Sequence, residues 1–488
     1  MLLLLPQLIL VPFLISTIGE SGYGFYALIW SSLISIEQLL NSLQQGVVKY
    51  SAGYLACDDM QKTNALVSSS FVFSLMLSVG VFITALLMVT MKTGDGSSLS
   101  LSWMFIGVAG LFILPMFPYI AVIHAKQRRF VSAMADTASR YLGLVAIVCW
   151  FSLVSPSVTA VVVILIVALI ISRLVQVPVA YRLVPGLQIQ FNLLDKASFK
   201  LITGFGIISV VGALCLILNS TGIRWLVAGL ESTSFVAALA IMLMPAMLLG
   251  QIVSDATSTV MPASAAYHEA GNMSMLHELM IRGVRYTTIV VLAGVFVATA
   301  LMNKILELWV GLDYVYLAPF ALTLFVSTSF LLSTSICHHM LKGMGLVKSV
   351  VLIYFIGLVV IPFSVILIGN YFGGDTNIVV TMGLSFGHLG CGIMQLIYCA
   401  RVLEVSFKEL IFRSYFQPVV AVGVCSVIGA LLVDRLNSQN LYNLIAICGC
   451  FLLILVFFCF FIIGSDTEKQ EVKEVLAMLT RRNSKVIE

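Results

Sequence analysis

The chain has 488 residues, 60% of them hydrophobic and only 10% charged, with a formal net charge of +4. A soluble domain carries about 25% charged residues, so a water-soluble globular protein is excluded and most of these side chains must face lipid. The small positive balance gives no reason to expect nucleic acid as a partner.

Apolar runs long enough to cross a hydrocarbon core of about 30 Å recur along the whole chain. They are continuous, with no period of two, which predicts helices and not barrel strands. In chain order the predicted spans are 2–18, 23–47, 66–91, 101–124, 139–154, 158–182, 203–225, 234–258, 285–302, 315–337, 347–370, 377–400, 417–434 and 441–464. The expected fold is therefore an all-α polytopic membrane protein of about fourteen transmembrane helices. Span one, "MLLLLPQLILVPF", has no basic flank and looks clipped; a cleaved signal peptide is the competing account. Pro115, Pro118, Pro245 and Pro319 are predicted kink points. The ten cysteines fall mostly inside spans without a CxxC pair, which indicates apolar filler and neither a disulfide framework nor a zinc site. No cofactor is expected.

Three pairs of phrases tie the halves together. "SAGYLACDDM" from Ser51 returns as "SAAYHEAGNM" from Ser264. Upstream, "IGESGYGFYALI" is echoed by "AGLESTSFVAALAI"; downstream, "IHAKQRRF" is echoed by "CHHMLKGM" at nearly the same offset. An even-numbered repeat keeps its orientation, so the prediction is two parallel six-helix repeats plus two C-terminal helices. The expected organisation is a bundle over 1–182, a linker over 183–202, a second bundle over 203–400, two helices over 401–464 and an amphipathic tail over 465–488. The linker, with its Pro-Gly turn and alternating polarity, suits a surface strap. Lys and Arg concentrate in connections such as 126–129 and 401–413, so the positive-inside rule puts both termini in the cytoplasm. Two bundles related by such an axis leave a cleft between them, the natural place for a substrate.

The informative residues are polar ones at membrane depth. Span two, "IWSSLISIEQLLNSLQQGVVKY", carries Glu37, Gln38, Asn41, Gln44, Gln45 and Lys49, with 37, 41, 44 and 45 at helical spacing on one face. Span eight, "LGQIVSDATSTVMP", carries Gln251 and Asp255 at the matching place. A charge at mid-bilayer costs at least about 2.5–3.5 kcal/mol; these stripes either line a wet passage or serve as helix–helix glue. Arg173 in span six and Arg224 in span seven either snorkel to an interface or offer guanidinium forks to an anion.

The stretch "PFLISTIGESGYGFYAL", through Gly19, Gly22, Tyr23 and Gly24, resembles the first outer turn of Wzx-type O-antigen flippases. These belong to the multidrug/oligosaccharidyl-lipid/polysaccharide (MOP) exporter superfamily. "QQGVVKYSAGYLACDDMQKTNALVSSS" and "ELWVGLDYVYLAPF" resemble later segments of that family. Where relatives often have an acidic residue before the glycine of span two, this chain has Gln45 before Gly46. The resemblance implies a non-enzymatic flippase of the bacterial inner membrane, moving undecaprenyl-pyrophosphate-linked oligosaccharide to the outer leaflet by alternating access. It implies the lipid-linked oligosaccharide and membrane lipids as partners, and admits a polysaccharide polymerase and a chain-length regulator. On this reading Arg173, Arg224 and Lys49 meet anionic head groups, with Gln38, Asn41, Gln45 and Gln251 lining the substrate path. Glu37 and Asp255 titrate as ion-coupling groups. A drug/cation antiporter or a lipid II flippase would share the fold. An O-antigen polymerase or ligase would need a large catalytic loop, and no stretch between spans is long enough.

Overall fold

A computed structural model describes residues 5–90 and 97–424. The expected spans 417–434, except for its first residues, and 441–464, together with the amphipathic tail, lie outside the described residues. The rest is helical, and eleven of its helices or joined helices are long and apolar enough to cross a membrane. The first of them holds two of the expected spans. α1 (Leu5–Ala56) bends at Gly19, where φ is +74°. A side chain would be strained there, so the glycine lets one helix turn into the next without a loop.

α2 (Met60–Thr90), α3 (Ser97–Ile113), α4 (Phe117–Ala125), α5 (Arg129–Leu153) and α6 (Val158–Leu183) follow. The α3–α4 break is a 3₁₀ turn at Leu114–Met116, so Pro115 does interrupt its span. α5 starts ten residues before the apolar run that predicted it, because "RFVSAMADTASR" is helical despite its charges. Beyond the connection come α7 (Lys196–Ile217), α8 (Ile223–Leu230), α9 (Thr233–Thr257) and α10 (Val260–Glu269). Then α11 (Met273–Trp309), α12 (Ala318–Ser333) and α13 (Ser335–Gly343) are followed by α14 (Val347–Tyr354), α15 (Ile361–Tyr371), α16 (Thr376–Val402) and α17 (Phe407–Ile411). Pro319 sits in the first turn of α12 and opens that helix instead of bending it, since proline there forfeits no intrahelical bond. Pro245 lies inside an uninterrupted α9.

The described chain forms two compact units. The first comprises Met1–Leu248, Leu306–Ala321 and Val347–Gly387; the second comprises Leu249–Ile305, Leu322–Leu346 and His388–Glu488.

In the first unit, α1 after its bend presses on the start of α9. A Cβ on Gly24 would lie 1.7 Å from the Thr233 carbonyl oxygen, so only glycine permits this approach. Ser21 and Thr233 hydroxyls meet at 2.9 Å beside it. A π-turn at Leu218–Gly222 joins α7 to α8, and its Thr221 donates to the Ser31 carbonyl at 3.0 Å. A second π-turn, Phe355–Val360, leaves the Leu358 carbonyl outside the regular ladder, and Asn219 Nδ2 donates to it at 3.0 Å. In lipid such a carbonyl has no water to turn to.

The connection from Val184 to Asp195 is bound to α2 by side chains. Asn64 donates to the Gly186 carbonyl and accepts from the Gln188 amide. Ser68 accepts from the Gln190 amide and Ser69 from the Asp195 amide. One polar edge of α2 thus serves extended backbone that would otherwise be unpaired. Asp195 then caps α7, accepting from the Ala197 and Ser198 amides, which holds its carboxyl below the ordinary carboxylate pKa.

In the second unit, α10 and α13 approach so closely that a Cβ on Gly343 would lie 2.4 Å from the Met261 carbonyl oxygen. Thr287 donates to the Ser333 carbonyl, Thr334 to Gln395 and Ser414 to the Ile281 carbonyl. Hydroxyl-to-carbonyl bonds of this kind hold helices together where apolar burial supplies no drive between them.

Candidate functional site

The polar stripe of α1 is answered from two other helices. Arg173 on α6 is buried, and its two terminal nitrogens point at carboxylates on different elements. Nη2 donates to Glu37 Oε1 of α1 at 2.5 Å, while Nη1 donates to Asp136 Oδ1 and Oδ2 of α5 at 3.0 and 3.2 Å. Ser172 Oγ donates to the same Asp136 oxygen at 2.8 Å, and Gln176 donates to the Ser172 carbonyl. A guanidinium is the cation suited to this, because its planar fork can serve two carboxylates at once.

A cavity of about 120 Å³ opens on the cluster, lined by Glu37, Leu40, Asn41, Gln44, Ile113, Phe117, Ile120, His124, Ser132, Asp136 and Arg173. Gln44 Nε2 lies 3.3 Å from His124 Nδ1 across it. One water needs at least about 10–15 Å³ of such space, so several waters or a small cation fit. An oligosaccharide does not, since ligand pockets run to about 300–1,000 Å³. Against the other side of Glu37 and Asp136 lies a hollow of about 20 Å³ that also touches Trp30, Ser139 and Arg140. The Arg140 guanidinium carbon stands 5.9 Å from the centroid of the Trp30 ring. Two carboxylates and two guanidinium groups therefore share this corner, which is formally neutral.

Among the expected site residues, Glu37, Asn41 and Arg173 converge here. Gln38, Gln45 and Lys49 do not line the cavity: Gln45 and Lys49 are exposed, with the Lys49 ammonium 5.9 Å from the Tyr50 ring. The Gln38 side-chain oxygen is buried with no donor. Arg224 is buried on α8, where it interacts electrostatically with Tyr23, and its Nε has no acceptor. Gln251 donates to Asp255 at 2.8 Å, and both are exposed near the end of α9, in the second unit. Asp136, His124, Ser132 and Arg140 were not foreseen. The signal for Asp136 was its i+4 spacing to Arg140 and i−4 spacing to Ser132, which becomes visible only once α5 is read as starting at Arg129.

No protein-family model matches the sequence, and no curated protein sequence does. Solved structures do match. An inward-facing multidrug resistance MATE family transporter of the MOP superfamily aligns with TM-score 0.70 over 82% of this chain and 94% of its own, at 14% identity. An outward-facing MATE family transporter of the MOP superfamily aligns with TM-score 0.62 over 83% and 92%, at 14% identity. A Vibrio cholerae MATE transporter aligns with TM-score 0.58 over 83% and 97%, again at 14% identity. Likeness at that identity speaks to architecture: the protein is a multi-pass membrane protein whose described residues are helical and share a MATE-like fold.

Proposed function

We propose that the protein is a flippase that carries an undecaprenyl-pyrophosphate-linked oligosaccharide from the inner to the outer leaflet of a bacterial cytoplasmic membrane. Both termini lie in the cytoplasm. The observation that carries the proposal is the Arg173 cluster: three charges from three membrane helices around a polar cavity, inside a transporter fold. Ionisable groups at this depth are costly and are retained where they line a path or exchange a proton. The sequence resemblance around Gly19–Gly24 supports the polysaccharide branch over others. Arg173 keeps Glu37 and Asp136 in one ion-pair network as the transporter changes face, and Arg224 meets the anionic head.

The test is complementation of a strain lacking the protein. The Arg173→Gln/Arg224→Gln double variant should remain inserted yet give no surface glycan; normal glycan in that strain would refute these roles. A second reading, drug/cation antiport, is favoured by the multidrug resistance transporters among the fold neighbours. Efflux of a cationic dye that depends on Glu37 would establish it, and arrest of cell-wall synthesis on depletion would point to lipid II as the cargo.

A further inference from the structure

Proline inside a helix leaves the carbonyl four residues upstream without its amide, and its ring crowds that carbonyl. Pro12 lies inside α1, so the carbonyl in question is that of Leu8. Within an apolar span no water serves it. The Trp309 indole does: Nε1 donates to the Leu8 oxygen at 2.8 Å, across 301 residues of sequence. Tryptophan suits this task, because its N–H donates, accepts nothing and sits on an apolar ring.

Trp309 is the last residue of α11, and Gly311, at φ +107°, turns the chain at once into the 3₁₀ turn Leu312–Leu317. A side chain at that φ would be strained. The turn carries Tyr314, buried with its phenol against the Glu20 carboxylate. Trp309 and Tyr314 therefore grip α1 on both sides of its bend at Gly19. All these residues belong to the first unit, although they are remote in sequence. The gripped stretch of α1 is also the one that presses on the start of α9, through Gly24 and Ser21. Its position decides whether that seam is shut, and Ala237, only 1% exposed, lies in the seam.

We propose that Trp309 is a positioning residue for the change of face: with Tyr314 it clasps α1 while the α1–α9 seam is shut, and it lets go when the seam opens. Opening then strands the Leu8 carbonyl that Pro12 left bare, which biases the protein toward the clasped state. The proposal rests on the transporter reading above and adds which bond must break.

The experiment uses the purified full chain in lipid nanodiscs, with Ala237→Cys as reporter and a membrane-impermeant maleimide as probe. Alkylation at position 237 is timed by mass spectrometry of its peptide, against the native exposed Cys57 just past α1. Trp309→Phe removes the donor and Pro12→Ala restores the missing amide. Each should speed labelling about fivefold, the lower end of what a stranded carbonyl costs. Because both act on one bond, the double variant should be no faster than the faster single. Cys57 should label at one rate throughout. Labelling unchanged in both singles, or rates that multiply in the double, would overturn the proposal. Should Trp309→Phe lower the unfolding midpoint, Pro12→Ala, which adds helix propensity, decides the matter alone. The labelling involves no cargo, so it separates the clasp from the function. Faster, non-multiplying labelling in a protein whose deletion leaves all surface glycan intact upholds the clasp and sinks the flippase. Unchanged or multiplying rates in a protein that the glycan requires sink the clasp alone.

Discussion

The polar stretch of α1 and the end of α9 carry similar polar side chains upstream of two similar sequence phrases, yet they are different objects. Around Glu37, three helices contribute to one ion-pair network with a cavity at its side. Around Asp255, one helix bonds to itself: Gln251 and Asp255 are four residues apart and both open to the surroundings. Both helices carry polar side chains at comparable places along them. Their partners differ, because no counterpart of Arg173 reaches Asp255 among the described residues. A stripe on a helix face becomes a site only when other elements answer it.

The largest expected effect tests that difference directly. Arg173→Met leaves Glu37 and Asp136 without their cation and should destabilise the protein by about 3 kcal/mol, the lower end of the range for breaking a buried pair. The lower end applies because the two carboxylate side chains keep 20% and 25% of their surface exposed. Reversible unfolding in detergent reads this, and a loss below about 1 kcal/mol would erase the contrast between the two regions. The cycle of Glu37→Gln with Arg173→Met should then return a coupling of about 1–2 kcal/mol, as for neighbours in one network. Arg224→Met should leave stability unchanged or raise it, since replacing a poorly satisfied buried charge by an apolar side chain is often neutral or favourable. It should nonetheless abolish transport; retained transport would make Arg224 a packing residue. Asp255→Asn should cost under about 0.5 kcal/mol, the scale of an i,i+4 pair on a helix surface.

Outside both regions, Asp195 offers a pH control. Its carboxyl is held below its ordinary pKa by the α7 amides it caps, so its contribution is complete above the unfolded value of about 3.9 and disappears as pH falls through the folded value. Hydrogen exchange at Ala197 and Ser198, taken relative to intrinsic rates, should be protected near neutrality and lose protection in acid. In Asp195→Ala it should be fast at both.

The helices were legible because lipid demands long apolar runs, and nothing else in the chain imitates them. Gly19 was visible only as part of a loop; that the helix continues through it depends on one φ value that no periodicity encodes. The candidate site was half legible. Glu37, Asn41 and Arg173 stood out as polar groups at membrane depth. Asp136 did not, because an apolar-run criterion cuts α5 at the charges of "RFVSAMADTASR" and so leaves its most informative residue outside the membrane. Pairing was the missing part: Arg173 looked free to receive a ligand anion, whereas its fork is already filled by two carboxylates from elements remote in sequence.

The segment stitched along α2 changes what a linker can mean in this chain. Because Asn64, Ser68 and Ser69 hold its backbone, the stretch behaves as an inextensible stay and not as slack rope. Any tilt of α2 is passed to the first turn of α7 within a few residues, so these two helices are geared together, and lengthening the peptide between them should uncouple the gear without touching a single charged group.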